Sequence, residues 1–132
     1  LTDHVTGNFG FTSGKWMGFQ HDMKILLQFK TPVELRSLGM HLLKTIGSDI
    51  YPPVQVEVWG GMNPDRLSLL KTIRPAAAVK GEKPALFLEE CRFPATRVRY
   101  IRLVAISVKK VPKWGNSPNK PGWIFTDELL LN

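Results

Sequence analysis

The strongest constraint on this chain is period-two alternation in short runs separated by turn residues. Val54, Val56 and Val58 alternate with Gln55 and Glu57 after Pro52-Pro53. In an extended chain successive side chains point to opposite faces, so this run predicts a half-buried strand. Met23, Ile25, Leu27 and Phe29 repeat the pattern against Lys24, Gln28 and Lys30. Leu67 to Ile73, Ala85 to Phe93, Val98 to Val108 and Trp123 to Leu131 are also strand-like. Gly, Pro and Asn punctuate the intervals, as in Trp59-Gly60-Gly61-Met62-Asn63-Pro64-Asp65 and in the loop from Arg74 to Pro84. About seven such strands predict a sandwich or a barrel. Thr31 to Ile46 is the dissenting stretch. Thr31-Pro32-Val33-Glu34 reads as a helix start, and Leu35, Leu38, Leu42 and Ile46 recur near helical spacing. The competing strand has Leu38, Met40 and Leu42 on one face, and pattern alone favours the helix slightly.

A chain of 132 residues, 43% apolar and 22% charged, suits one domain spanning residues 1–132 with its own core. No apolar run approaches the roughly 20 residues of a membrane helix, so no membrane insertion is expected. Leu1-Thr2-Asp3-His4 lacks a signal-peptide pattern, and a chain opening on Leu1 rather than Met is expected to be part of a longer one. The single cysteine, Cys91, excludes an internal disulfide and reads as a small buried hydrophobe. The net charge of +7 raises the question of acidic partners. Its densest patch, Arg97 to Lys113, lies in strand-like sequence, and no zinc-finger spacing, basic helix or aromatic RNA-binding motif accompanies it. A solvated face, with no nucleic-acid partner, is the expectation.

Catalytic signatures are missing. His4, His21 and His41 show no metal-ligand spacing, and there is no nucleophile elbow or phosphate-binding glycine loop. The carboxylates Asp49, Asp65, Asp127 and Glu128 give no reason to be paired for glycoside hydrolysis. Aromatic residues in loops are the better signal. The segment Pro112-Lys113-Trp114-Gly115-Asn116-Ser117-Pro118-Asn119-Lys120-Pro121-Gly122 resists regular structure yet carries Trp114, with Trp123 at its end. Aromatic rings offer rigid apolar faces on which the C–H face of a sugar can lie. Tyr51, Trp59, Trp114 and Trp123 are the candidate platforms, with His21, Asp49 and Asn116 as polar partners. Tyr51 and Trp114 are expected to be the better exposed; Trp16 and Trp123 flank strands and are more often core lids. Two further features concern a cation. Asp3, with Thr6 and Asn8, offers oxygen ligands of the kind Ca²⁺ prefers, although a plain Asx-turn would look the same. Asp127-Glu128 interrupts an apolar strand, and buried carboxylates need a metal or cationic partner.

The combined order of several segments carries a family resemblance. Leu1-Thr2-Asp3, Gly14-Lys15-Trp16-Met17-Gly18-Phe19 and Ile46-Gly47-Ser48-Asp49-Ile50-Tyr51-Pro52 come first. Val54-Gln55-Val56-Glu57-Val58, Arg99-Tyr100-Ile101-Arg102-Leu103 and Trp123-Ile124-Phe125-Thr126-Asp127-Glu128 follow. Together they resemble the discoidin-like, galactose-binding-domain-like module at the C-terminus of bacterial chitobiases and related β-hexosaminidases. The resemblance implies an all-β, eight-stranded antiparallel jelly-roll sandwich, and so makes Thr31 to Ile46 largely strand. It implies a non-catalytic, carbohydrate-binding accessory domain of a secreted, periplasmic or surface bacterial glycosidase. Its partners would be a glycan of hexosamine or galactose type and the catalytic domain of the parent chain; the alternative role is a purely structural domain packed against that catalytic domain. It also implies a structural Ca²⁺ held by Asp3 and Glu128. Two positions depart from the family pattern: Asp49 stands where relatives often have Trp, and Gly115 where they often have His.

Overall fold

The computed structural model describes residues 16–132. Among these, six strands form: β1 (Met17–Phe19), β2 (Met23–Lys44), β3 (Gln55–Gly61), β4 (Ser68–Ile73), β5 (Ala85–Ile106) and β6 (Ile124–Leu131). Neighbours pair antiparallel in the order β1-β6-β2-β5-β3-β4. The only helical element among the described residues is a 3-10 turn over Ile46–Ser48. The helix expected over Thr31 to Ile46 is therefore strand up to Lys44, as the family resemblance implied.

Among the described residues the strands number six because β2 and β5 run for 22 residues each and pair with one another along most of that length. Their ladder is interrupted twice, between Gln28 and Val33 of β2 and between Leu35 and Ser37. Pro32 lies in the first interruption, and Pro94 of β5 in the second. Proline cannot donate to a ladder, so it is tolerated where the pairing is already broken. The interruptions divide each long strand into two arms and turn the sheet over on itself. One cluster consequently gathers Met23, Val58, Ile101 and Leu103 from one arm with Leu38, Met40, Cys91 and Leu129 from the other. Two inner faces sharing one core is the arrangement of a β-sandwich.

The same interruption accounts for the helical look of the sequence. Leu35 and Leu38 both reach the core although three residues apart, which unbroken alternation would forbid. Beyond Leu38, Met40 and Leu42 follow at period two. Cys91 is 1% exposed among Leu, Phe and Val side chains, and burial pushes its thiol up to about 11. It is core filling, as expected. A second, smaller cluster lies on the opposite face of β2 and β6, where Trp16, Leu43 and Ile50 pack with Leu86, Trp123 and Phe125. Arg97, Arg102, Lys109, Lys110 and Lys113 are exposed, the solvated basic face that the sequence implied.

Candidate functional site

The loops at one end of the sandwich converge where β2 ends. Thr45 and Ile50 exchange backbone hydrogen bonds at 3.0 and 3.1 Å, closing the 3-10 turn between them. Asp49 ends that turn in the left-handed region, at φ 57°, a conformation Asp tolerates better than most residues. Its N–H donates to the Ile46 carbonyl, and its own carbonyl accepts from the Trp123 N–H at 2.8 Å. Its carboxylate Oδ1 accepts the Ser117 N–H at 3.2 Å. Asp49 is buried, and through these bonds it fastens three segments together.

The loop from Val108 to Gly122 is closed on itself. Gly122 N–H donates to Val108, Val111 N–H to Lys120, Asn119 N–H back to Val111, and Gly115 N–H to Pro112. This ear folds over Tyr51, which is 3% exposed. The expectation of an exposed Tyr51 is therefore wrong: the chain after position 107 covers it. Its hydroxyl meets no hydrogen-bond partner among the described residues, and burial, with the nearby Asp49, pushes its pKa up. A side chain at Gly115 would sit 2.3 Å from Val111 Cγ1 and 2.7 Å from the Tyr51 hydroxyl. Gly115 is thus required by close approach of the loop to Tyr51. Both departures from the family pattern, Asp49 and Gly115, are building elements of the loop end in this chain.

Trp114 rests edge-on against Tyr51, with ring centroids 6.4 Å apart at 62°. A fixed tyrosine beneath a half-buried indole removes much of the rotamer freedom that a ligand would otherwise have to freeze. Beside it, Ile46, Gly47, Trp114, Gly115 and Asn116 line an open recess of about 240 Å³. Asn116 is exposed at its rim. Trp114 and Asn116 are accordingly brought together as expected, and Tyr51 supports them from below. The other candidates lie elsewhere. Trp123 packs edge-on against Phe125 at 5.8 Å as a lid on the smaller cluster. His21 is exposed, its Nδ1 lying 2.9 Å from the Asp22 carbonyl, and it does not line the recess. What the sequence reading missed at this end is Gly47 and Ile46, opposite Trp114; the Gly-Ser-Asp turn was the available signal.

The acidic pair on β6 sits at a β-bulge. His41 opposes Glu128 while Leu42 opposes Thr126, which leaves Asp127 as the extra residue. The inserted residue shifts the alternation, so Ile124 and Leu129 share the core despite an odd separation. Asp127 finds a partner in His41, whose Nδ1 is 2.6 Å from Oδ1 and whose ring stacks on Trp16. Glu128 is different: it is 1% exposed, and neither carboxylate oxygen has a hydrogen-bond partner among the described residues. An orphaned buried carboxylate costs several kcal/mol unless a cation meets it. Asp3 lies outside the described residues, and among the described residues no three His, Cys, Asp or Glu converge on one point.

No protein-family model matches the chain, and no curated protein matches it. Solved structures do. A CBM32 module of AlyQ, in complex with 4,5-unsaturated mannuronic acid, aligns at TM-score 0.52 with 16% identity over 83% of this chain and 69% of that one. A CBM32 module of a Clostridium perfringens family 89 protein, in complex with GalNAc-β-1,3-galactose, aligns at 0.54 with 13% identity over 93% and 80%. The C-terminal domain of a chitobiase from Bacteroides fragilis aligns at 0.50 with 14% identity over 84% and 62%, so this chain spans less than two thirds of it. The chain has the sandwich fold of these carbohydrate-binding modules, the galactose-binding-like architecture that its sequence resembles.

Proposed function

We propose that this chain is a non-catalytic carbohydrate-binding domain that accepts a glycan in the recess between Gly47 and Trp114. The observation that carries the reading is the indole of Trp114, braced by the buried Tyr51 at the edge of an open recess. A pyranose lays its C–H face on the indole, and the exposed Asn116 amide supplies both a donor and an acceptor for its hydroxyls. The glycan is of hexosamine or galactose type. The domain is an accessory to a larger chitobiase- or β-hexosaminidase-like bacterial glycosidase, periplasmic, secreted or surface-held, and tethers it to substrate. A single shallow contact of this kind binds in roughly the micromolar to millimolar range and gains its effect by raising local concentration.

We assign Glu128 the further role of holding a structural Ca²⁺ with Asp3 and backbone carbonyls near the start of the chain. Hard oxygen donors and an unpartnered buried carboxylate suit that ion, which would neutralise Glu128 and fasten the first residues to β6.

A glycan-array screen of the chain, with and without Ca²⁺ and beside Trp114→Ala, tests the assignment. Binding to a defined sugar class that the substitution abolishes supports it; silence from folded protein rejects it. A second reading, a structural domain packed on its catalytic neighbour, draws support from one place. Leu88 and Leu130, 47% and 38% exposed, flank Gly39 on the outer face of β2, β5 and β6. An apolar strip of that kind fits a domain contact.

A further inference from the structure

The outer face of β2, β5 and β3 carries a second groove that shares no residue with the recess at Trp114. Arg102 of β5 is opposed by Leu26 of β2 on one side and Trp59 of β3 on the other. One step along, Val104 is flanked by Lys24 and Glu57. These residues alternate with the buried Met23, Val58 and Leu103, so period two turns them away from the core. Lys24, Glu57, Trp59, Arg102 and Val104, with Asp22 and Ile106, line an open groove of about 440 Å³.

The polar groups of this groove divide into satisfied anions and unmatched cations. Asp22 accepts the Ser107 N–H at 3.1 Å and pairs with the Lys109 ammonium, which holds its carboxyl below the usual carboxylate range. Glu57 accepts Gln55 Nε2 at 2.6 Å and Trp59 Nε1 at 3.1 Å. That second bond fixes the plane of the indole. Lys24 and Arg102 have no carboxylate partner among the described residues, and the one side-chain hydrogen bond of Arg102 there is a 3.4 Å contact to the Pro64 carbonyl.

We propose that this groove is a binding site for a carboxylate-bearing oligosaccharide, a uronic-acid polymer. One sugar ring stacks on Trp59, its carboxylate pairs with Arg102 and Lys24, and its hydroxyls donate to the Glu57 oxygens. A planar guanidinium can take a carboxylate in a two-pronged bond, and an indole held in one plane loses little entropy on stacking. A neutral sugar would leave both cations without use. A nucleic acid would need a longer file of cations than this pair, with its phosphates kept clear of Glu57. The site goes beyond the reading of the Trp114 recess and stands without it.

The test is a ¹H–¹⁵N NMR titration of the whole chain with tetragalacturonate, and with its neutral methyl ester as the matched control. The expected result is a saturable shift of the Trp59 indole resonance with the acid. Affinity for the ester, and for the acid in Arg102→Gln, should be lower by roughly five-fold, the upper end for one exposed ion pair. Trp59→Ala should weaken binding at least as much, while Trp114→Ala leaves it unchanged. Arg102 is exposed, so its variant keeps the wild-type melting temperature and serves where Trp59→Ala does not fold. No shift at Trp59, equal affinity for acid and ester, or a loss caused by Trp114→Ala alone would each overturn the proposal.

Discussion

Substituting Asp49 separates a ligand contact from a structural fastening. In its one side-chain hydrogen bond among the described residues, Asp49 accepts the Ser117 N–H at 3.2 Å, while its backbone sits at φ 57°. Asp49→Asn keeps an oxygen acceptor and a residue that tolerates the left-handed region, so it should lose no more than about 1 kcal/mol. Asp49→Gly suits the backbone but abandons the Ser117 N–H, at about 1 to 2 kcal/mol for a partly buried hydrogen bond to a charged group. Asp49→Ala loses the bond and adds the left-handed penalty of about 1 to 2 kcal/mol, for roughly 2 to 4 kcal/mol in all. The order wild type, Asn, Gly, Ala is the signature. Urea unfolding followed by tryptophan fluorescence reads it as a falling midpoint at constant slope. In a domain of this size the Ala variant should melt roughly 6 to 16 °C lower. Equal stability of Gly and Ala would refute the backbone argument. An Ala variant as stable as wild type, yet weaker for sugar, would return Asp49 to the role of a ligand.

Three further outcomes follow from neighbouring geometry. Gly115→Ala drives a methyl to 2.3 Å from Val111 Cγ1 and should cost about 1 to 3 kcal/mol in the same assay, whereas Gly47→Ala, with nothing within 4 Å, should cost little. Cys91 has a thiol pKa of about 11 in the fold against 9.0 in an unfolded chain, so its neutral form favours the folded state. That contribution is complete below pH 9 and lost as pH rises through 11; about 2 to 3 kcal/mol of alkaline destabilisation should disappear from the pH slope of Cys91→Ala. The Ca²⁺ proposed at Glu128 predicts that a hundred-fold excess over the dissociation constant adds about 2.7 kcal/mol. A melting temperature that rises with Ca²⁺, falls with chelator and becomes indifferent in Glu128→Gln would agree; a wild type indifferent to both would not.

Much of the sandwich is legible in local alternation, because Val54-Val56-Val58 and Met23-Ile25-Leu27 report the two-residue period directly. The length of β2 is not, since the breaks in its ladder are long-range events that β5 shares. They place Leu35 and Leu38 on one face and so imitate a helix. The site divides along the same line. Trp114 and Asn116 belong to one short loop, and their composition marks them. Tyr51 and Asp49 owe their burial to a segment some sixty residues further along the chain, and nothing beside Pro52-Pro53 announces that cover. The acidic pair on β6 stood out correctly as an anomaly, yet the bulge that sends Asp127 to His41 and leaves Glu128 alone is a property of strand pairing, not of either residue.

The sugar is proposed to lie between Trp114 and the turn at Gly47. The most direct test is a ¹H–¹⁵N NMR titration with neutral hexosamine and galactose disaccharides, mapped residue by residue. Saturable shifts should be confined to Ile46–Ser48 and the Trp114–Asn116 segment, including the Trp114 indole, and should disappear in Trp114→Ala. A folded chain that shows no shift there at tens of millimolar sugar, or binds with shifts only elsewhere, would contradict that placement.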